Sequence, residues 1–408
     1  MAKWKILVRP ISILCAAVQN RDTGFLPTTA PPEGFKLQEM TAKESDALKT
    51  DYPENAVVVT TIPSIIYRDP PDPDGNSEWI VLGPTKQLVF KAPGYPRAVS
   101  KATGLPTYEV RLTQDMGFGM FATRDIKVGE LIFAERPLLV MPANFRLLAA
   151  DVPLPRNVED IHATQMAILM QSEKTLEYAV DRMSPGNQKA FKALANMHTE
   201  DGSGPLMGII RTNAYLIGSL YDGEKLVEPR QNGYVGICNL GSRINHRLTE
   251  SCMPNVDNVF SVASFSFQFR ASRDIEAGEQ LFYAYCDENL TAAERKAKLA
   301  RYAIVCSCAA CAHATPETDK LRKEYEQLID AHDIKSKTWT KARSVDKSTL
   351  EPLLEFQNAL IKEGLHGTKK YGLLLGVLSR LYLKLGQHDN AKDCLEKLRE
   401  YHNLSYIN

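Results

Sequence analysis

The chain has no excess of charge of either sign: lysine and arginine total 49, and aspartate and glutamate also total 49. That removes the clustered positive field that nucleic-acid phosphates require, so direct nucleic-acid binding is not expected. No apolar run approaches the ~18 residues a membrane-spanning helix needs, and no membrane role is expected. Lys3 and Lys5 precede the apolar stretch 11–18 and loosely imitate a secretory signal, but Arg9-Pro10 interrupts it. A short buried strand is the expectation there, with an intracellular location, nuclear or cytoplasmic or both. Cysteine is scarce, eight in 408 residues, which excludes a disulfide scaffold.

What is present fits a globular protein of two or more domains, with 44% hydrophobic and 24% charged residues. Residues 20–105 are punctuated by proline, including Pro31-Pro32, Pro63, Pro70-Pro71, Pro73, Pro84, Pro93 and Pro96. Such spacing forbids long helices. Residues 56–61 and 79–90 nevertheless carry strand-like β-branched and aromatic content. No activity is assigned to this arm.

From Tyr108 the texture changes. Residues 108–112, 131–135 and 137–141 read as short strands between turns. Ile168, Leu169, Ser172, Leu176, Ala179, Val180 and Met183 then recur at helical spacing. Ser184-Pro185 offers a cap with proline in the first turn and launches a helix over 187–197. Strands are expected again at 256–260, 264–270 and 280–285. The middle one alternates, with Phe265, Phe267 and Phe269 on one side and Ser264, Ser266 and Gln268 on the other, as in a half-buried strand. Beyond Thr315-Pro316 the chain reads as helical. Leu373, Leu374, Val377, Leu378, Leu381 and Leu385 form a stripe ended by Gly386, and Ala391, Leu395 and Leu398 continue on a second helix. The pair resembles one tetratricopeptide-like hairpin.

Four stretches carry chemistry. Met116-Gly117-Phe118-Gly119 follows a strand, and two glycines one apart let a backbone approach a ligand closely. It is not a dinucleotide fingerprint, because the third glycine and the following helix are missing. Asn245-His246 pairs an amide able to donate and accept with an imidazole. Gly278-Glu279-Gln280-Leu281 feeds an aromatic run holding Tyr283 and Tyr285, with Tyr302 arriving separately. Cys306-x-Cys308-x-x-Cys311 supplies three sulfurs over a short loop, the spacing of a metal site. Zinc prefers four ligands, so a fourth must come from elsewhere; Cys252 leads and His313 follows. Iron–sulfur clusters use other spacings.

Together, in this order, these residues resemble the SET-domain protein lysine methyltransferases. The insertion between the two halves and the helical C-terminus are similar to the SET-and-MYND group. No cysteine-rich finger lies between Pro137 and Ile161, however, as in MYND-less, fungal-type members. The resemblance implies an α+β fold of short sheets with a knot-like crossing, a helical insertion, a zinc-bound post-SET loop and a helical C-terminal region. The expected segments are a partly ordered Pro-rich arm over 1–106, SET halves over 107–142 and 206–290, and the insertion over 143–205. The zinc loop follows over 291–315 and the tetratricopeptide-like region over 316–408.

It further implies methyl transfer from S-adenosylmethionine to a protein lysine, by a chain expected to be monomeric. Met116, Gly117, Phe118 and Gly119 would offer cofactor contacts, and Thr212-Asn213 resembles the second cofactor strand. Asn245 and His246 would hold the methionine and adenine portions. Tyr285 matches the active-site tyrosine, and Tyr302 the post-SET tyrosine beside cofactor and lysine. Cys252, Cys306, Cys308 and Cys311 match the structural zinc set. One departure matters: Arg247-Leu248-Thr249-Glu250 separates Asn-His from Ser251-Cys252, where the family runs straight on. It supports an alternative expectation, a catalytically impaired SET-fold scaffold that binds protein partners.

Overall fold

The computed structural model describes residues 35, 43–44, 48–65, 72–114, 116–149, 160–226, 231–246, 254–302, 304–339, 342 and 344–405. Residues 11–18, Cys252 and the 247–250 insertion lie outside them. The strands are β1 (Lys43–Glu44), β2 (Val57–Ile62), β3 (Ser77–Leu82), β4 (Tyr108–Leu112), β5 (Phe118–Ala122) and β6 (Leu131–Glu135). They continue with β7 (Leu139–Pro142), β8 (Ala214–Tyr221), β9 (Gly233–Ile237), β10 (Val256–Ser261) and β11 (Ser266–Ala271). The helices are α1 (Gly83–Phe90), α2 (Asp160–Asp181), α3 (Pro185–Lys192), α4 (Pro205–Asn213) and α5 (Ala292–Leu299). After them come α6 (Ala309–Ala312), α7 (Pro316–Trp339), α8 (Leu350–Lys362), α9 (Lys369–Lys384) and α10 (His388–Ser405). Among the described residues no helix is long and apolar enough to cross a membrane. Two units partition the chain, one of residues 1–100, 134–242 and 260–267, the other of 101–133, 243–259 and 268–408.

The first unit is built on a six-stranded sheet of order β1-β2-β3-β7-β9-β8. The Val-Val-Val-Thr-Thr-Ile run of β2 suits a pleated, buried surface and pairs antiparallel with β3, Val57 facing Leu82 and Ile62 facing Ser77. β3 then runs parallel to β7, with Trp79 opposite Val140. The proline-rich segment is thus sheet for part of its length. Residues 79–90, expected as a strand, divide at Gly83: Pro84 in the first turn starts α1 instead. Lys86 on that helix is fully buried, its ammonium donating to the Lys49 carbonyl at 2.7 Å beside the rings of Tyr52 and Phe90. Arg136 is a second buried cation. Its guanidinium donates to Asp72 (2.5 Å) and to the carbonyls of Gly75 (2.5 Å) and Ser264 (3.1 Å).

Helix α2 places Leu169, Leu176, Ala179 and Val180 in the core with Phe191 of α3 and Met207 and Ile210 of α4. α3 ends at Lys192, five residues earlier than the expected end at Met197. The N-cap of α4 is Gly204, which has no side chain to satisfy the first amides. Glu173 of α2 serves instead, accepting from Leu206 N (2.7 Å) and Met207 N (2.8 Å). A Cβ at Gly204 would stand 2.3 Å from the Glu173 carboxyl carbon, so glycine is what lets the carboxylate approach. The Phe265–Phe267–Phe269 set is fully buried as expected, but Ser264 and Ser266 are also buried and bond to each other at 2.7 Å. Both faces are therefore covered, and Phe265 itself sits in a turn at φ 48° ahead of β11.

In the second unit β4 and β5 form a hairpin, Tyr108 opposite Ala122 and Leu112 opposite Phe118. The parts of β6, β10 and β11 that lie in this unit pair in the order β10-β11-β6. The C-terminal helices share one core of Tyr325, Ile329, Trp339, Leu353, Leu374, Val377, Leu378 and Leu381. Leu373 and Leu395 are exposed, contrary to the expected stripe. On α10 the inward residues are Ala391 and Cys394, with Leu398 packed beside them, one turn apart. Gly386, at φ 75°, ends α9, and Gln387 N reaches back to Tyr382 O at 2.9 Å.

Candidate active site

The 279–283 segment, expected as part of a strand, makes no regular ladder. It is held on two sides instead. Ala122 N donates to Glu279 O and Leu281 N to Met120 O, both at 2.8 Å, which lays the segment along β5. On the other side Asn245 bridges to Phe282, and Tyr283 N donates to Asn245 O at 2.9 Å. Asn255 pins the crossing: its amide donates to Gln280 O (2.9 Å) and its carbonyl oxygen accepts from Phe282 N (2.7 Å). Asn255 is fully buried, and both its amide and its carbonyl oxygen are spent on the 279–282 segment. Glu279, bonded to Arg273 (2.5 Å) and to Asn255 (3.1 Å), keeps its carboxyl ionised below the usual range; burial opposes this, and the guanidinium outweighs it.

The glycine turn closes against this crossing. Gly117 takes φ 67°, and its carbonyl accepts from both the amide and the hydroxyl of Thr113 at 2.7 Å. Met116 N donates to the Thr113 hydroxyl at 2.9 Å. Asn245 Nδ2 donates to Phe118 O at 3.1 Å, and the Arg243 guanidinium lies 5.7 Å from the Phe118 ring centroid. A Cβ on Gly119 would meet Gln280 Nε2 at 2.6 Å, Thr113 Cγ2 at 2.7 Å and Asn245 Nδ2 at 3.3 Å. Gly119 is therefore required by close approach, at an ordinary φ.

Three rings stand together, those of His246, Tyr285 and Tyr302, the first two next to this crossing in sequence. His246 is buried and lies 5.5 Å from Tyr285, which lies 4.8 Å from Tyr302. The Tyr285 hydroxyl donates to Ile244 O at 2.9 Å, and its amide donates to His246 Nδ1 at 3.3 Å. Burial pushes the Tyr285 phenol well above its ordinary value, with Tyr302 adding to the shift. Burial lowers the His246 pKa. At neutral pH the group is thus a protonated phenol, a neutral imidazole and a third ring, able to orient a neutral amine. Tyr283, two residues from Tyr285, is likewise pushed up to about 12 by burial and by Asp257.

The sulfurs of Cys306, Cys308 and Cys311 all lie within 4.8 Å of one another, and all three are free of disulfides. Tetrahedral zinc with bonds near 2.3 Å needs sulfurs about 3.8 Å apart, so the triad suits that ion. Arg295, buried at 1% exposure, donates to Cys311 Sγ at 3.4 Å and to the carbonyls of Leu290 (2.5 Å) and Ala310 (2.8 Å). A guanidinium there favours a thiolate and fixes the loop. His313 is exposed at the end of α6 and stands outside the triad.

Met116, Gly117, Phe118, Gly119, Asn245, His246, Tyr285, Tyr302 and the three cysteines all belong to the second unit. Thr212 and Asn213 do not. They end α4 in the first unit rather than lying on a strand, because their side chains bond the helix's own last turn and the segment before it. Thr212 Oγ1 donates to Gly208 O (2.8 Å), and Asn213 Nδ2 to Ile209 O (2.7 Å) and Ala195 O (2.8 Å). Gln280 and Arg295 escaped sequence reasoning. Gln280 is the unspecified position of the Gly-Glu-x-Leu turn, and Arg295 is one of three basic residues in α5; no pattern marks either.

The SET domain family profile matches residues 117–286. The chain thus resembles the SET domain family over that stretch. It is 30% identical over 217 residues to histone-lysine N-methyltransferase set5 of Schizosaccharomyces pombe, covering 53% of this chain and 53% of that protein. The chain thus spans about half the length of that relative. Among solved structures it is similar to the SET domain of LSMT bound to lysine and AdoHcy, at 14% identity over 76% of this chain and 88% of that one, with a TM-score of 0.27. Rubisco LSMT bound to AdoMet is 13% identical over 76% and 89%, with a TM-score of 0.27.

Proposed function

We propose that the second unit binds S-adenosylmethionine and carries its methyl group to the side-chain amine of a lysine in a protein substrate. The observation that carries this reading is the convergence, within one unit, of the Gly117–Gly119 turn, Asn245-His246 and the Tyr285–Tyr302 pair around the 279–283 crossing. The relative named a histone-lysine methyltransferase supports lysine as the acceptor. The cradle suits the methyl donor: a glycine whose Cβ would be blocked, a half-exposed Phe118 ring, and a buried amide hydrogen on Gln280 lacking a partner. Bound there, the sulfonium supplies an electrophilic methyl.

The chain's own residues do the rest. Lysine attacks only as a neutral amine, and its ordinary pKa is about 10.4. A site walled by Tyr285, Tyr302 and neutral His246 lowers that value by excluding water. The Tyr285 phenol, held protonated and anchored on Ile244 O, keeps a fixed dipole beside the amine. Zinc on Cys306, Cys308 and Cys311, with Cys252 as fourth ligand, would clamp the segment that follows Tyr302 and take no part in the chemistry.

Tyr285→Phe tests the assignment. Methyl transfer to mixed core histones from labelled donor is expected to fall by about tenfold or more, with donor affinity within twofold of the parent. A fully active variant removes Tyr285 from the mechanism.

A further inference from the structure

Along the crossing nearly every side chain has a task. Glu279 pairs with Arg273 and Asn255, Leu281 and Phe282 enter the core, and Tyr283 is half-buried near Asp257. Gln280 is different. Its Nε2 is buried and has no hydrogen-bond partner among the described residues. Yet the group is confined: it occupies the space a Cβ on Gly119 would need, next to Asn245 Nδ2. An amide donor buried without an acceptor is costly, by about 1–3 kcal/mol.

We propose that Gln280 is a binding residue for the methyl donor, giving an N–H to the carboxylate at the donor's amino-acid end. This rests on the donor-binding reading above and adds to it a residue and the ligand atom it meets. The surroundings select the atom. Asn245 Nδ2 donates to Phe118 O, and it and Gln280 Nε2 lie 3.3 and 2.6 Å from the point a Cβ on Gly119 would occupy, so two amide nitrogens border the same space. Arg243, two residues before Asn245, brings a cation over the Phe118 ring. Donors and a nearby positive charge suit a carboxylate oxygen and repel an ammonium. An amine at this point would leave both amides unsatisfied.

Calorimetry on the zinc-loaded full chain separates the outcomes, using S-adenosylhomocysteine and its decarboxylated counterpart, which keeps the amine. Gln280→Ala is expected to weaken S-adenosylhomocysteine binding about tenfold, the worth of a hydrogen bond to a charged group, and to leave the decarboxylated ligand within twofold. Gln280→Glu keeps the shape but replaces the donor with an anionic acceptor, so its loss should exceed that of the alanine variant. Unchanged affinity in the alanine variant overturns the proposal. So does an equal loss for both ligands, which would make Gln280 a packing residue for the Gly119 turn, and so does failure of both variants to fold. A parent protein that binds neither ligand overturns the donor-binding reading itself, and this inference with it.

Discussion

An Arg322→Ala chain is expected to lose about 3–5 kcal/mol of stability in its C-terminal region, the cost of stranding a buried charge. Arg322 on α7 is 3% exposed and its partner Glu363 is 7% exposed. The guanidinium donates to the Glu363 carboxylate at 3.0 Å, to the Glu363 carbonyl, and to the Glu288 carbonyl at 3.0 Å. Truncation therefore leaves one carboxylate and two carbonyls without donors, and opens a cavity as well. The double variant Arg322→Met, Glu363→Met removes both charges while filling the space, and should recover much of the loss. Denaturant unfolding followed by tryptophan fluorescence, to which buried Trp339 of this region contributes beside Trp79 of the first unit, reads both. If the double variant is no more stable than Arg322→Ala, the buried-charge account fails.

The same helix bears on the site. Asp319 accepts from Ala292 N at 2.8 Å, and Lys323 pairs with Glu294 at 2.6 Å. With Arg322 these residues, three and four apart on one face of α7, hold the 288–294 stretch that links Tyr285 to the zinc loop.

The second large effect concerns the metal. The parent protein is expected to carry about one equivalent of zinc, and Cys308→Ser none, by elemental analysis after purification without chelator. Cys308 is the fully buried member of the triad and caps α6, so a hydroxyl there takes away both a ligand and a soft donor. The loop that follows Tyr302 then loses the ion that would tie its three sulfurs together, and methyl transfer should go with the zinc. Metal-free parent protein that remains active, or a Cys308→Ser protein that keeps its zinc, contradicts the assignment.

Much of the site was legible because its chemistry is local in sequence. The Cys-x-Cys-x-x-Cys spacing forces three sulfurs into one short loop whatever surrounds them, and the structure brings them within 4.8 Å. The glycine turn likewise announces a close approach; what the sequence could not say is that Gln280 and Asn245 are what approaches. Tertiary pairing decided where expectation failed. Residues 280–285 have the aromatic content of a strand, but Asn245 and Asn255 hold part of them in a crossing rather than a ladder. Thr212 and Asn213 read as strand until Gly208, Ile209 and Ala195 offer their carbonyls and extend α4. In the proline-rich segment the strand-like content of 56–61 and of 79–82 was legible and became β2 and the second half of β3, since proline forbids long helices but leaves six-residue strands untouched.

The central claim is that the second unit is a donor-binding site, and titration calorimetry of S-adenosylmethionine into the zinc-loaded chain tests it most directly. One site per chain is the predicted result, with affinity falling in a variant that adds a Cβ at Gly119, such as Gly119→Ala. No heat of binding from fully metallated protein would contradict the account.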